Sequence, residues 1–431
     1  MSFTSTPTTP QWRDVYIAAA ARAVSYCGDY LAATALALTL VARGDNGYGV
    51  AALLLAEALP LVLLGPLAGR LADRVDSRIL LVSTGLAQAV VCALLAYTNH
   101  PAMIVGLVGL LSAGVAVTAP TVGALVPDMI GKKNLPKAMS ISQTAGAVGM
   151  LAGPALGGLL VGAYGVRLPL LLDAATFLAI AAAGLALRTR RGGRTATAPA
   201  AAGGTQPEVK AAPATAYRVR NDRLLLTMIV SMACVLGAVT AVSVVEIFFV
   251  RETLGASETM YGLVSAVWTL GLLVGAVPFG RIGRGDDRRL AAIYLVLLGG
   301  VSAIVLGSAG VQAALWLLPL YLVGGALNSG LNVLVGVVFG RRVPSAVRGR
   351  VMGTLNSVAS GASVLGYVLG GLLVPLFTPR LLLAVIGAVG LVIAVVFLIP
   401  VVTGRLGDDR SEPPVATPDR ETAPVGSASP R

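Results

Sequence analysis

Charge is what this chain lacks most. Asp, Glu, Lys and Arg make up 12% of its 431 residues, about half the ~25% of a soluble domain. Hydrophobic residues make up 56%, and the mean hydropathy is +0.83. These values exclude a water-soluble fold and predict a chain that crosses a membrane many times. Histidine occurs once, as His100, and cysteine three times, as Cys27, Cys92 and Cys234, each alone in an apolar stretch. No metal-ligand spacing exists, so no metal is expected, and the thiols read as small buried hydrophobes. The G-x-x-x-x-G-K-[ST] phosphate loop is missing, which excludes ATP-driven work by this chain. No cofactor is implied and no enzyme is expected. Lysine occurs only at Lys132, Lys133, Lys137 and Lys210, against 28 arginines, a bias of coding rather than of physics.

The net charge of +12 does not point to nucleic acid, because the positive residues fall in loops spaced between apolar runs. A spanning helix needs about 20 mostly apolar residues. Twelve such segments are present, at 15–41, 49–71, 79–97, 102–129, 138–163, 168–187, 224–250, 260–282, two within the uncharged run 290–340 divided at Ser308 to Gln312, 351–376 and 381–403. The first is interrupted by Arg22 and Tyr26 and lacks a small-residue cleavage site, so it reads as a span rather than a cleavable signal. Residues 1–14 and 404–431 are polar and Pro-rich and are expected to be disordered. Residues 188–223, rich in Ala, Thr, Gly and Pro with eight basic residues, read as a flexible linker. With both termini in the cytoplasm, 27 of the 32 basic residues fall on that side and only Arg43, Arg167, Arg251 and Arg380 outside, as the positive-inside rule demands. The expected location is the cytoplasmic membrane, in contact with lipid, with both termini inside.

The chain also repeats itself. GPALGGLLV at 153–161 matches GYVLGGLLV at 366–374, and Gly69-Arg70 matches Gly280-Arg281 at nearly the same offset. The expected fold is an all-α membrane protein, twelve transmembrane helices in two six-helix pseudo-symmetric bundles, 15–187 and 224–403, joined by the linker.

Two motifs carry a resemblance to a family. After the second span the chain reads Gly69-Arg70-Leu71-Ala72-Asp73-Arg74-Val75-Asp76-Ser77-Arg78, similar to the loop signature G-x-L-A-D-R-x-G-R-[RK]. Asp76 stands where the pattern has glycine and Ser77 where it has arginine. The fifth span contains Gly149, Gly153, Pro154, Gly157 and Gly158, which resembles the exporter motif G-x-x-x-G-P-x-x-G-G. Over about 15–403 the chain resembles a major facilitator superfamily transporter. The first span, with Arg22, Ser25, Gly28 and Asp29, is similar to the multidrug, macrolide and siderophore exporter branch. Many proton-coupled members carry an arginine in helix 4, and none occurs between 102 and 129 here.

The resemblance implies efflux of a small amphipathic compound, a drug, antibiotic or secondary metabolite, by proton antiport and alternating access. It also implies a cytoplasmic gate of Gly69, Arg70, Asp73, Arg74 and Arg78. In that gate Asp73 lies near the start of helix 11, around Val351, whose free N–H groups favour an anion. Arg70 or Arg74 pairs with Asp128. In the fifth span, small residues at four-residue spacing permit close packing, and Pro154 removes a backbone hydrogen bond and permits a bend. Alternatively, Gly65 to Arg78 is only a helix end with anchoring arginines.

Candidate coupling residues are the intramembrane acids, which are costly in lipid and functional by default. Asp29 is the foremost, with Arg22 on the same helical face about 10 Å away and Tyr26 between them as a possible bridge. Glu246 and Glu57 follow, while Asp173, near the end of its helix, reads as structural. In the family, helices 1, 4, 7 and 10 line the cavity, so Asn328 and Asn332, four apart on one face, and the aromatic Tyr26, Tyr30 and Trp268 are candidate cavity residues. Packing or interhelical hydrogen bonding accounts for each of them equally simply. The expected partners are a small-molecule substrate and a proton, with the protein a monomer. Uptake of a small molecule is the alternative within transporters, and a non-transporting membrane sensor or scaffold the alternative outside them.

Overall fold

The computed structural model describes residues 10–44, 46–190, 222–280, 286–343 and 348–403. The expected disordered tail, most of the linker and the repeat segment from Arg281 to Arg284 lie outside these residues.

All the regular structure among the described residues is helical. The N-terminal half contains α1 (Trp12–Ala42), α2 (Tyr48–Arg74), α3 (Ser77–Tyr97), α4 (Pro101–Ile130), α5 (Asn134–Tyr164) and α6 (Arg167–Ala186). The C-terminal half contains α7 (Arg223–Phe248), α8 (Glu258–Gly280), α9 (Asp287–Ala309), α10 (Leu317–Arg342), α11 (Arg348–Leu373) and α12 (Pro379–Val402). Among the described residues, eleven helices are long and apolar enough to cross a membrane, and α11 adds the apolar stretch Ser357–Leu373. Their outer faces carry exposed Leu63, Val90, Leu94, Val277, Val296, Val389 and Val396. In water that pattern is costly, whereas hydrocarbon accepts it, and helices are the spans that satisfy every backbone group internally. The chain is a multi-pass membrane protein.

Local chemistry sets the helix ends. The Asp76 carboxylate accepts from the Arg78 N–H at 2.8 Å, and the Asp222 carboxylate from the Leu225 N–H at 3.1 Å. The Thr378 hydroxyl accepts from the Leu381 N–H, with Pro379 as the first helical residue. These are ordinary N-caps. Gly47, at φ 96°, reverses the chain before α2 in a conformation that side chains rarely adopt.

Three expectations are corrected. Helix α1 begins at Trp12, and residues 10–14 belong to the fold. The Gln11 N–H donates to the Met129 carbonyl at 2.9 Å. Asp14 is 1% exposed and accepts from the Arg188 and Thr189 N–H groups, both at 2.9 Å. A buried carboxylate so bonded ties the start of α1 to the first linker residues. Second, the expected loop at Lys132 to Lys137 is helical, and one helical run extends from Pro101 to Tyr164 with Pro120, Pro127, Pro136 and Pro154 inside it. The two legs nevertheless lie side by side, since Ile104 and Val161 join one core cluster. Third, Cys234 is exposed rather than buried, while Cys92 is buried and Cys27 half-buried.

The halves share one packing scheme. Helix α1 pairs with α5, α2 with α4 and α3 with α6; α7 pairs with α11, α8 with α10 and α9 with α12. Between halves, α5 crosses α8 and α2 crosses α11. The two ends of the molecule differ. Near the α1–α2 and α7–α8 connections a single apolar cluster unites Leu36, Val50 and Leu53 with Val244, Ile247 and Phe248. At the end bearing the termini each half has its own cluster, one around Val15, Leu125 and Ile180, the other around Leu225, Leu334 and Val351.

Candidate functional site: a cavity between the halves

A cavity of about 430 Å³ lies between the halves, within the range of small-molecule sites. The N-terminal half supplies Tyr30 and Thr34 of α1, Glu57 of α2 and Pro154 of α5. The C-terminal half supplies Ser243 and Glu246 of α7, Tyr261, Ser265, Trp268 and Thr269 of α8, Tyr321 of α10 and Tyr367 of α11. A second cavity, of about 310 Å³, lies inside the N-terminal half. Asp29, Asp173, Tyr26, Ser112 and Phe177 line it, and it shares Tyr30, Ala33, Glu57 and Leu61 with the first. Neither lining contains Lys, Arg or His. Glu57 is the carboxyl on the wall the two cavities share.

Helix α1 carries Asp29 one residue beyond Gly28, and the missing side chain of Gly28 is filled by the Asp173 carboxyl and Thr176. Asp173 is 1% exposed; it accepts from the Thr176 hydroxyl at 3.0 Å and the Cys92 thiol at 3.3 Å. Asp29 lies within reach of the Ser25 hydroxyl and lines the inner cavity together with Asp173 and Glu57. Three carboxyls thus converge from α1, α2 and α6. Arg22 does not pair with Asp29: its guanidinium lies 5.1 Å from the centre of the Tyr26 ring, donates to the Tyr26 hydroxyl at 3.1 Å, and reaches Ser142. Across the central cavity, Glu246 lies within reach of the Ser265 hydroxyl, and its Oε1 is buried without a hydrogen-bond partner among the described residues.

The helix 5 glycines divide into two faces. Gly149, Gly153 and Gly157 lie against the backbone of α1 at Ala23, Cys27 and Leu31. Gly158 lies against Glu258 and Gly262 of α8, and a side chain on Gly262 would meet the Pro154 carbonyl. The repeat at 366–374 divides likewise: Gly366 and Gly370 pack on α7, and Gly371 on Ala51 of α2.

Other predicted residues land elsewhere. Asn328 and Asn332 do share a face, but the Asn332 amide donates to the Asn328 carbonyl at 3.0 Å and neither side chain lines the cavity. Tyr26 lines only the inner cavity. Arg78 donates to the carbonyl of Leu185 at the end of α6. Arg288 does the same for α12, donating to the Val401 and Val402 carbonyls at 2.6 and 2.8 Å. The Asp73 side chain lies outside the described residues. Arg70 and Arg74 are exposed at the end of α2, and Asp128 is exposed on α4. Gly65 and Gly69 face open space rather than a packed neighbour, because the halves have separate cores at that end. Tyr261, Ser265, Tyr321 and Tyr367 line the cavity in addition to the residues expected from the sequence. Tyr261, Ser265, Trp268 and Thr269 follow the i, i+4, i+7, i+8 spacing of one helical face, a signal present in the sequence.

Two six-helix repeats around a central cavity, with acids set inside the membrane, define a polytopic transporter rather than an enzyme. The family model described as Major Facilitator Superfamily matches residues 18–249 and 231–428, and the chain belongs to that superfamily. It is 24% identical over 396 residues to the uncharacterized MFS-type transporter YfiS of Bacillus subtilis, covering 88% of this chain and 91% of that one. It is 25% identical over 313 residues to the multidrug resistance protein MdtG of a Rahnella species, covering 71% and 72%. A crystal structure of a peptide transporter POT in complex with sulfate superposes with a TM-score of 0.69 at 16% identity, over 94% of this chain and 97% of that one. That likeness is one of fold.

Proposed function

We propose that the protein is a proton-coupled exporter of a small amphipathic compound, working by alternating access as a monomer in the cytoplasmic membrane. The observation that carries this is the central cavity, built from both halves and closed at one end by a core that the halves share. The charge asymmetry of the loops supports placing both termini in the cytoplasm. In that orientation the sealed end is the outer one, and the open glycine faces of Gly65 and Gly69 belong to an inward-facing state. Rocking of the halves would bring those faces into contact while the Gly158 and Gly371 crossings part. The helix 5 motif and the likeness to MdtG support export over uptake. In this reading Asp29 carries the proton, in a chamber that opens past Glu57 onto the substrate.

The test is reconstitution into proteoliposomes with an imposed pH gradient, a panel of amphipathic compounds, and Asp29→Asn. Substrate accumulates against its gradient with the wild-type protein and collapses with a protonophore. Asp29→Asn keeps downhill exchange and loses accumulation. Full gradient-driven transport by the variant removes Asp29 from the mechanism, and no flux of any compound removes the export reading.

A further inference from the structure

The central cavity is not symmetric in its chemistry. Each half gives it one carboxyl, Glu57 and Glu246, and behind Glu57, in the inner cavity, Asp173 is held by Thr176 and Cys92. In the C-terminal half Glu246 has Ser265 near one side and a buried, unpartnered Oε1 on the other. A carboxylate oxygen held out of water without a donor is costly. Glu246 shares the cavity with no Lys, Arg or His, so the cavity lining offers it no counter-charge.

What surrounds it is aromatic. Tyr261 and Tyr321 line the same cavity as Glu246. Trp268 and Tyr321 meet edge to face, with ring centres 5.6 Å apart and planes at 73°. Two rings set at that angle form a corner, and Tyr261 stands beside it on the same wall of the cavity. Ring faces attract cations through their quadrupoles, and aromatic corners recognise quaternary ammonium groups. A small, strongly hydrated cation gains little from such walls. A bulky organic cation with a weakly hydrated, apolar body gains from the rings and the carboxylate together.

We infer that Glu246, Tyr261, Trp268 and Tyr321 form a seat in the C-terminal half for the cationic centre of an amphipathic organic cation. The inference rests on the central cavity being the substrate site. The apolar body of the ligand extends from the seat toward Tyr30, Thr34 and Leu54 on the facing half, so the ligand touches both halves. Negatively charged amphiphiles of the same shape are disfavoured by Glu246 and Glu57.

The test uses two probes of nearly one shape and opposite charge, tetraphenylphosphonium and tetraphenylborate. Binding to the purified full chain in detergent is read by equilibrium dialysis, which does not depend on transport. Tetraphenylphosphonium binds saturably and tetraphenylborate at least tenfold more weakly. Glu246→Gln weakens the phosphonium at least tenfold, while Glu246→Asp preserves the preference for the cation. If Glu246→Gln does not elute as a monodisperse protein, Trp268→Leu serves in its place, with an expected loss of threefold or more. Equal binding of both probes, no binding of the phosphonium, or affinity unchanged in the variant that folds, overturns the seat. Charge-dependent binding without any flux in proteoliposomes leaves the seat standing and removes the export reading. Flux of other compounds without phosphonium binding does the reverse.

Discussion

Gly158 and Gly371, 213 positions apart in the chain, make equivalent crossings. Each sets bare backbone against a helix of the opposite half, Gly158 on Gly262 of α8 and Gly371 on Ala51 of α2. The neighbouring glycines in each repeat, Gly153 with Gly157 and Gly366 with Gly370, point inward to the first helix of their own half. One duplicated segment therefore serves two ends at once. It binds each bundle together and forms the seal between bundles. Without a hydrophobic driving force in lipid, close backbone approach supplies the association.

A side chain at either crossing should force the seal apart. A Cβ on Gly158 would collide with backbone rather than with a flexible side chain, so the helices must separate. Gly158→Val and Gly371→Val are expected to expose cysteines placed at the sealed end to a membrane-impermeant thiol reagent at least fivefold faster than in the parent. Gly307→Ala, on α9 where a side chain meets open space, serves as the control. Unchanged labelling rates would show that the seal does not depend on these contacts.

At the opposite end the same logic predicts a different outcome. Gly69 faces open space, so Gly69→Leu meets no neighbour in this conformation. Its thermal stability should stay within about 0.5 kcal/mol of the parent, as for surface changes away from special features. In the proposed cycle the two halves close over this face, and transport should fall at least tenfold. A loss of both stability and transport would show that Gly69 is already packed.

How much of this was legible in the sequence follows from what sequence patterns encode. Apolar length and loop charge mark spans, so the twelve segments and both repeats could be read directly. The division of the Gly149 to Gly158 motif into two faces was not legible, because spacing tells which residues share a helix face but not which helix lies against it. The chemistry at Asp29, Glu57 and Asp173 was visible as three acids in apolar surroundings. Their convergence on one cavity depends on the packing of α1 with α6 and α2. On α8 Trp268 stood out as an aromatic candidate, while the stripe it shares with Tyr261, Ser265 and Thr269 is written at helical spacing on a helix outside the set 1, 4, 7 and 10. Asn328 and Asn332 share a face, as their spacing implies, and neither is among the residues that line the central cavity. At α1, polar composition suggested disorder, yet Asp14 anchors the segment through a partner 174 positions away.

Asp173 should behave as a structural residue. Its carboxyl accepts from Thr176 and Cys92 and fills the space left by Gly28. Asp173→Ala leaves a void and unsatisfied donors, an expected cost of about 1–3 kcal/mol, read as a lower melting temperature of the purified protein. Asp29→Asn keeps its volume and should melt within a degree or two of the parent. If Asp29→Asn proves the more destabilising of the two, their roles are reversed.

Arg78 and Arg288 separate two readings of the loop signature. As latch residues, only Arg78 should matter, and only for transport. As caps, both act on the final helix of their own half, Arg78 on Leu185 of α6 and Arg288 on Val401 and Val402 of α12. A cation at helix C-terminal carbonyls satisfies orphan acceptors and opposes the helix dipole. Arg78→Ala and Arg288→Ala should each lower stability by about 0.5–1.5 kcal/mol, and the double variant by about the sum, because the two sites lie in different bundles and share no partner. Lysine at either position keeps the charge but loses the planar fork that lets Arg288 reach two carbonyls at once, so Arg288→Lys should recover less than Arg78→Lys. Melting curves of the parent and the five variants decide the matter. A transport defect in Arg78→Ala at parental stability, with Arg288→Ala silent, would return Arg78 to the gate.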